Sequence, residues 1–301
     1  MLNMEGEILN KYKLAGKIAS KSLQVGSKLI RPGESAVKII ETVDDFIKSK
    51  GIIPAFPTQI SINNVAAHFC PTEESDVTLN EGDVVKLDSG TCVDGYIADN
   101  AVTIDLGNNK KLVNASRKAL NQALKIIRPG IKISELGVVI QDTITSNGFA
   151  PVKNLSGHGL GFYEVHDEPA IPNYKTNDDV EFQEDQVVAI EPFASSGAGV
   201  VYESSNPTIF TLSSERPVRS MITREVLREI KNYKGLPFTT RWLMKKFGAG
   251  KTAFALRELK VNDMLEIHPP LLDKAQGIVS QAEHSVVIQD KPIIITKWDD
   301  D

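Results

Sequence analysis

Long apolar runs are missing from these 301 residues. None approaches the 18 or so needed to span a bilayer, which excludes an integral membrane helix. Cysteine is nearly missing too: Cys70 and Cys92 are too few for a disulfide framework, so the reducing cytoplasm is the expected compartment. Excess charge is small. With 34 basic and 39 acidic residues the net is −5, which gives no overall attraction to nucleic acid or anionic lipid. The first twenty residues lack the uncharged centre of a leader peptide; Glu5, Glu7, Lys11, Lys13 and Lys17 interrupt them in a helical pattern. What is present is ordinary for a globular chain, 41% hydrophobic and 24% charged, and long enough for two average domains or one large one.

The charge is unevenly spread. Thr211 to Lys260 carries twelve basic residues against four glutamates, a local charge of +8, which leaves −13 for the rest. A basic insert in an acidic body marks a domain boundary. Within it, Ile222, Val226, Leu227 and Ile230 predict an amphipathic helix. Thr239 to Phe247, Gly248-Ala249-Gly250 and Lys251 to Leu259 then read as helix, glycine turn, helix. The pattern is similar to a winged helix-turn-helix and admits a nucleic-acid reading.

An internal repeat organises the first two hundred residues. Ile30-Arg31-Pro32-Gly33 recurs as Ile127-Arg128-Pro129-Gly130. Eighteen residues after each glycine comes another, Gly51 and Gly148, and three further on a proline, Pro54 and Pro151. Each tetrapeptide separates two helical patterns. Ile8 to Ile30 precedes the first, and Val37, Ile40, Val43 and Ile47 follow it; Leu112 to Ile127 precedes the second, and Leu136, Val139, Ile140 and Ile144 follow. Each copy continues through a loop bearing a histidine, His68 or His166, to a short strand ending in an acid, Asp88 or Glu191. Two such units predict one α+β domain with pseudo-twofold symmetry, strands central and helices outside.

The acids carry the chemistry. Asp88 closes Val84-Val85-Lys86-Leu87, and Asp99 follows Tyr96-Ile97-Ala98. If Cys92-Val93-Asp94-Gly95 forms the connecting loop, positions 88 and 99 stand directly opposite, with Cβ atoms about 5 Å apart. Two buried carboxylates that close demand a cation, a shared proton or a basic partner. Glu191 ends Val187 to Ile190, Glu283 sits at the mouth of Ser285-Val286-Val287-Ile288, and His158 lies among glycines in Gly157 to Gly161. An unpaired charge at such strand ends costs several kcal/mol. Four acids and one histidine make a donor set suited to two divalent ions about 3.5–4 Å apart. Oxygen-rich and thiolate-free, the set fits manganese, iron or cobalt at least as well as zinc.

These residues resemble the methionine aminopeptidases, which share the pita-bread fold with prolidases and creatinases. The family's metal pattern of aspartate, a second aspartate eleven residues on, histidine, glutamate and glutamate is met in order by Asp88, Asp99, His158, Glu191 and Glu283. Phe56-Pro57-Thr58 with Ser61 to His68 resembles the stretch before the first catalytic histidine, and Gly157 to His166 the segment holding the second. Ninety-one residues separate Glu191 from Glu283. The extra length is similar to the helical insertion of the type 2 enzymes, which implies a catalytic body of residues 1–208 and 270–301 and an insertion over 209–269. His268-Pro269-Pro270-Leu271 departs from the family, which commonly has tyrosine before the two prolines. The compact start of the chain resembles the archaeal form.

The resemblance implies a role for each residue. Asp88 chelates one ion, Asp99 and Glu283 bridge both, and His158 with Glu191 complete the second, the ions being Co, Mn, Fe, Zn or Ni. A hydroxide bridging them attacks the first peptide carbonyl, releasing the initiator methionine of nascent polypeptides whose second residue is small. Glu191 accepts the proton, His68 serves the scissile amide, and His166 the developing oxyanion. Phe56, Phe193 and His268 wall the methionine slot. Because the type 2 family uses its insert to wall the cleft, no specific DNA binding is expected; ribosome contact through Lys245, Lys246 and Lys251 is a separate reading of the same surface. No membrane partner and a monomer are implied. The alternatives are an X-Pro peptidase of the same fold and a non-enzymatic module that binds nucleic acid or protein.

Overall fold

The computed structural model of the chain describes Met4 and residues 6–298. Glu5, part of the expected N-terminal helical pattern, lies outside the described residues. Four long helices form two hairpins: α1 (Gly6–Ser27) with α2 (Ala36–Ser49), and α3 (Lys110–Ile126) with α4 (Ile133–Ser146). The two Arg-Pro-Gly turns do the same thing in both places. Gly33 and Gly130 adopt φ of 86° and 81°, open to glycine without strain. Gly33 N donates to Leu79 O at 2.8 Å and Gly130 N to Phe182 O at 2.9 Å. Ala36 N and Ile133 N, opening the second helix of each hairpin, bond Val77 O and Val180 O, both at 2.9 Å. The sequence repeat is thus a repeat of structure.

The apolar stripes of the helices close over antiparallel sheets. Ile39, Ile40, Val43 and Ile47 of α2 pack with Ile60, Val85 and Leu87, and Leu136, Ile140 and Ile144 of α4 with Val188, Ile190 and Val286. In the first half the Val84–Val93 strand pairs with Tyr96–Asp105 on one side and with Gln59–Ile62 on the other. In the second half the order is Ile293–Ile294, His284–Val287, Val187–Ile190, Ser156–Gly161, Glu164–Pro172. Helix α1 sits directly on the first hairpin, where Thr91 Oγ1 donates to Ala15 O at 2.7 Å.

Residues 209–268 build a smaller unit with its own apolar centre. A three-stranded sheet runs Phe238–Thr239, Ile209–Leu212, Leu265–His268. Helices α5 (Met221–Lys231), α6 (Thr240–Phe247) and α7 (Ala249–Val261) pack on it through Val226, Ile230, Leu243, Leu256 and Leu259. The expected glycine turn between the last two helices shrinks to Gly248 (φ 80°), because Ala249 and Gly250 already belong to α7.

One buried arginine ties this unit to the body. Arg241, 1% exposed, reaches Asp44 Oδ2 at 3.0 Å and Glu41 Oε1 at 3.3 Å on α2. Asp44 also accepts from Trp242 Nε1 at 2.9 Å and from Thr58 N at 3.2 Å. Removing Asp44 strands a buried guanidinium, which costs about 3–5 kcal/mol. Asp44→Ala is therefore expected to lower the urea unfolding free energy by roughly that amount, far more than Lys231→Ala at the exposed pair with Glu215. Equal effects of the two substitutions in equilibrium unfolding would show that Arg241 is not the anchor.

Candidate metal centre

Asp88 and Asp99 project from the two strands of the first hairpin, but not face to face as the spacing predicts. Asp99 lies opposite Gly90, and Asp88 opposite Ala101. The turn causes the difference. Asp94 (φ 52°) and Gly95 (φ 97°) are both left-handed, so the hairpin closes on two residues, and Cys92 and Val93 extend the strand. Positions 88 and 90 share a face, so the two aspartates remain diagonal neighbours on it. Gly90 leaves space that the Phe56 ring fills: a Cβ there would lie 2.4 Å from Phe56 Cε1.

His158 stands in a strand, Ser156–Gly161. Its glycines let the strand lie hard against its neighbours: a Cβ on Gly157 would meet Ala189 O at 2.3 Å, and one on Gly159 would meet Glu168 O at 2.1 Å. His158 Nδ1 lies 3.0 Å from Gly159 O. That contact places the proton on Nδ1 and turns the Nε2 lone pair toward Asp99 Oδ2 and Glu191 Oε1, each 3.8 Å away. Donor atoms of Asp99, His158 and Glu283 all lie within 4.8 Å of one another.

Burial makes this cluster electrostatically costly. It raises the Asp88 carboxyl to about 7 against the hydrogen bond from Gln281. Burial, with the charge of Asp88, holds Asp99 and Glu191 well above the ordinary carboxylate range; Glu283 rises by burial and then the charges of Asp99, Glu191 and Asp88. The His158 and His68 rings are pushed down to about 3, first by burial and then by neighbouring imidazoles, so both are neutral at physiological pH.

Sequence reasoning missed Gln281. Its Nε2 lies 3.2 Å from Asp88 Oδ2, 3.2 Å from Glu191 Oε2 and 3.4 Å from Glu283 Oε2. One amide thus touches three of the four acids, and Thr103 Oγ1 fixes its backbone through bonds of 2.6 and 2.9 Å. The available signal was alternation, since positions 281 and 283 flank one residue on the same run. Gln281 has no second donor group to spare. Asp88 Oδ1, Asp99 Oδ1 and Glu283 Oε1 are buried without a hydrogen-bond partner among the described residues. Buried orphan oxygens on ionisable carboxyls, with an imidazole lone pair aimed among them, fit divalent cations.

A cavity of about 480 Å³ opens beside these donors. Asp88, Asp99, His158 and Glu191 line it; Glu283, 1% exposed, lies behind them. Phe56, His68, His166, Phe193 and His268 line it as well, so the sequence-predicted pocket residues share one chamber. Ring centroids of His158 and His166 are 4.6 Å apart, those of His68 and His268 6.0 Å. His68 takes a left-handed φ of 64°, directly after the Val65–Ala67 strand, and Gln59 Oε1 accepts from its N at 2.8 Å. Ile209 and Pro237 of the smaller unit complete the wall.

Known proteins are similar to this chain over nearly its whole length. The model of metallopeptidase family M24 matches residues 10–218. A methionine aminopeptidase of Archaeoglobus fulgidus is 44% identical over 294 residues, 97% of this chain and 99% of that one. One from Methanocaldococcus jannaschii is 41% identical over 295 residues, again 97% and 99%. The crystal structure of methionine aminopeptidase from Thermotoga maritima superposes with a TM-score of 0.72 at 26% identity, covering 99% of each chain. The chain belongs to metallopeptidase family M24, among the methionine aminopeptidases, and has their pita-bread fold.

The electrostatics carry a testable consequence. Each raised carboxyl keeps its proton to higher pH in the folded chain than in the unfolded one, so the folded state binds more protons and loses stability as pH rises. For Asp88 the loss runs from the unfolded value near 4 up to about 7. The melting temperature of the metal-free protein is expected to fall across that window. Divalent ions should restore it at pH 7.5 with release of protons into the buffer, measurable by calorimetry. A melting temperature that is flat with pH and unmoved by manganese, cobalt or iron would count against a cation site.

Proposed function

We propose that Asp88, Asp99, His158, Glu191 and Glu283 would hold two divalent ions. The observation that carries this reading is the set of three buried carboxylate oxygens without hydrogen-bond partners among the described residues. Oxygen donors outnumber nitrogen, and no cysteine takes part, which favours manganese, iron or cobalt alongside zinc or nickel. When bound, the ions supply Lewis acidity and lower the pKa of water toward neutrality.

The chain removes the N-terminal methionine from peptides and nascent proteins. Its own residues divide the remaining work. Glu191, which lines the cavity with its Oε1 3.8 Å from His158 Nε2, takes the proton from the attacking water. His68, neutral because it is buried, hydrogen-bonds the scissile amide and its leaving nitrogen. His166, also held neutral by burial, donates to the developing oxyanion. Phe56 and Phe193, 4% and 1% exposed, offer an apolar wall for the methionine side chain, with His268 at the edge. A tight chamber around the leaving amide restricts the second residue to a small one.

Residues 209–269 act in this reading as an insertion that walls the cleft through Ile209, Pro237 and His268. Four of their twelve basic side chains are paired with acids. Arg241 is buried on Asp44, Lys245 pairs with Glu41, Lys246 with Glu229 at 2.6 Å, and Lys231 with Glu215 at 2.5 Å. Those pairings occupy Lys245 and Lys246, two of the three lysines, with Lys251, on which a ribosomal contact would rest. Cys70 and Cys92 are buried free thiols, which suits the cytoplasm, where nascent N-termini emerge. No helix among the described residues is long and apolar enough to cross a membrane.

Release of methionine from Met-Ala-Ser by protein loaded with manganese, cobalt or iron tests the reading, with Ala-Pro as the comparison substrate. His68→Ala and His166→Ala are each expected to lower kcat by about 10²–10³ with bound metal unchanged. Asp99→Asn and Glu283→Gln should instead lose metal, measured by elemental analysis. Full turnover by either histidine variant, or metal-independent turnover, would remove these assignments.

A further inference from the structure

A second cavity, of about 290 Å³, shares His68, Asn154 and His268 with the first. Most of its remaining wall comes from two strands of different sheets, Val201–Glu203 and Leu265–His268, with Pro269 and Leu271 beside them. Both are edge strands: the first is outermost in the order Val201–Glu203, Leu271–Asp273, Val65–Ala67, and the second ends the small sheet of residues 209–268.

Hydrogen-bond alternation shows which main-chain groups face outward. Lys274 N donates to Val200 O, and Ser204 N to Pro270 O, both at 2.9 Å, so residues 200, 202 and 204 face the neighbouring strand. Val201 and Glu203 therefore turn their N–H and C=O away from it. At Val201 those groups are taken by one side chain: Asn154 Oδ1 accepts from Val201 N and Asn154 Nδ2 donates to Val201 O, each at 2.8 Å. An amide there imitates one residue of a paired strand, and the Glu203 main chain lies next along the same edge. On the other strand, Ser213 N bonds Met264 O at 3.0 Å, which by the same alternation turns the Ile267 N–H and C=O outward.

The side chains add an electrostatic preference. Glu203 and Glu266 line the cavity with the half-exposed Tyr202 and Ile267, and its other named walls carry no lysine or arginine. Glu266 lies close enough to the reaction chamber to act on the imidazoles of both His166 and His268.

We propose that this groove receives the third and fourth residues of the peptide substrate in extended form. Their main chain pairs with an exposed strand edge, and Glu203 and Glu266 favour basic over acidic side chains there. The proposal rests on the aminopeptidase reading of the first cavity. With the scissile amide at His68, the chain passes His268, which walls both cavities, and enters the groove, advancing about 3.3 Å per residue.

The test measures kcat/KM for methionine release by the metal-loaded enzyme from Met-Ala-Ser and from five-residue peptides with Lys, Ser or Asp at position four. Elongation is expected to raise kcat/KM about tenfold, mainly through KM, and N-methylation of the third or fourth amide nitrogen to remove the gain. Lysine should outpace aspartate by about tenfold, less in high salt. The paired substitutions Glu203→Gln and Glu266→Gln should bring that ratio close to one. Release that ignores length, N-methylation and the fourth side chain would overturn the groove while leaving the aminopeptidase reading standing. A lysine preference that survives in the double variant would overturn the role of the two glutamates. No release from any peptide would overturn both readings.

Discussion

Four carboxyl groups crowd together out of water in this protein, and that crowding is the constraint on which the rest depends. Asp88, Asp99, Glu191 and Glu283 cannot all ionise in the metal-free chain, because each adds to the burial cost of the others. The neutral amide among them, Gln281, relieves three acids partly and satisfies none. Such a cluster persists only if the surrounding structure over-determines it. The backbone provides that rigidity. Ser285 Oγ accepts from Asp99 N and donates to Asp99 O, both at 2.7 Å, while Thr103 clamps Gln281 in the same way. Lys86, fully buried on the Asp88 strand, spends its donors on Asn63 O and Val279 O at 2.9 Å and joins two segments behind the acids. It serves the scaffold, not the charge balance.

The duplicated architecture explains how donors from distant parts of the chain meet. Each half delivers a helical hairpin, a strand bearing an acid and a histidine. The halves are not equal, however. The first supplies both aspartates from one long hairpin, whereas the second supplies His158 from a glycine-spaced strand and Glu191 from the end of a short one. Glycine is what makes the second half work, since at 157 and 159 any side chain would strike a neighbouring carbonyl.

Much of this was legible in the sequence because a charged residue ending an apolar strand is conspicuous. The acids at strand ends, the paired helices and the basic stretch all announce themselves by contrast with their surroundings. What escaped depends on pairing. The aspartates were expected face to face and stand two residues out of register, because Asp94-Gly95 closes the turn alone. Gln281 went unread because an uncharged amide in a strand breaks no local rule; only its three carboxylate neighbours give it meaning. The second cavity could not be read at all. Whether a strand lies at an edge, and which of its carbonyls face outward, follows from the assembled sheets and leaves no trace in composition.

His268 shows how the smaller unit shapes the chamber it borders. Its strand pairs with Ile209–Leu212, placing position 268 opposite Ile209, so both residues reach the cavity from the same sheet. Thr211 Oγ1 lies 2.8 Å from His268 Nε2 and fixes the ring plane. A tyrosine at this position would carry its hydroxyl farther and present a phenolic donor; an imidazole pinned through Nε2 leaves only Nδ1 free. Burial also lowers its proton affinity, so the ring meets His68 and His166 as a neutral group and does not repel them. Three neutral imidazoles around one opening can each donate or accept without bringing charge into a chamber already dominated by carboxylates. Positive charge in the reaction is thereby left to any metal ions the acids would hold and to the amino group of the peptide itself, the one part of the substrate that every N-terminus shares.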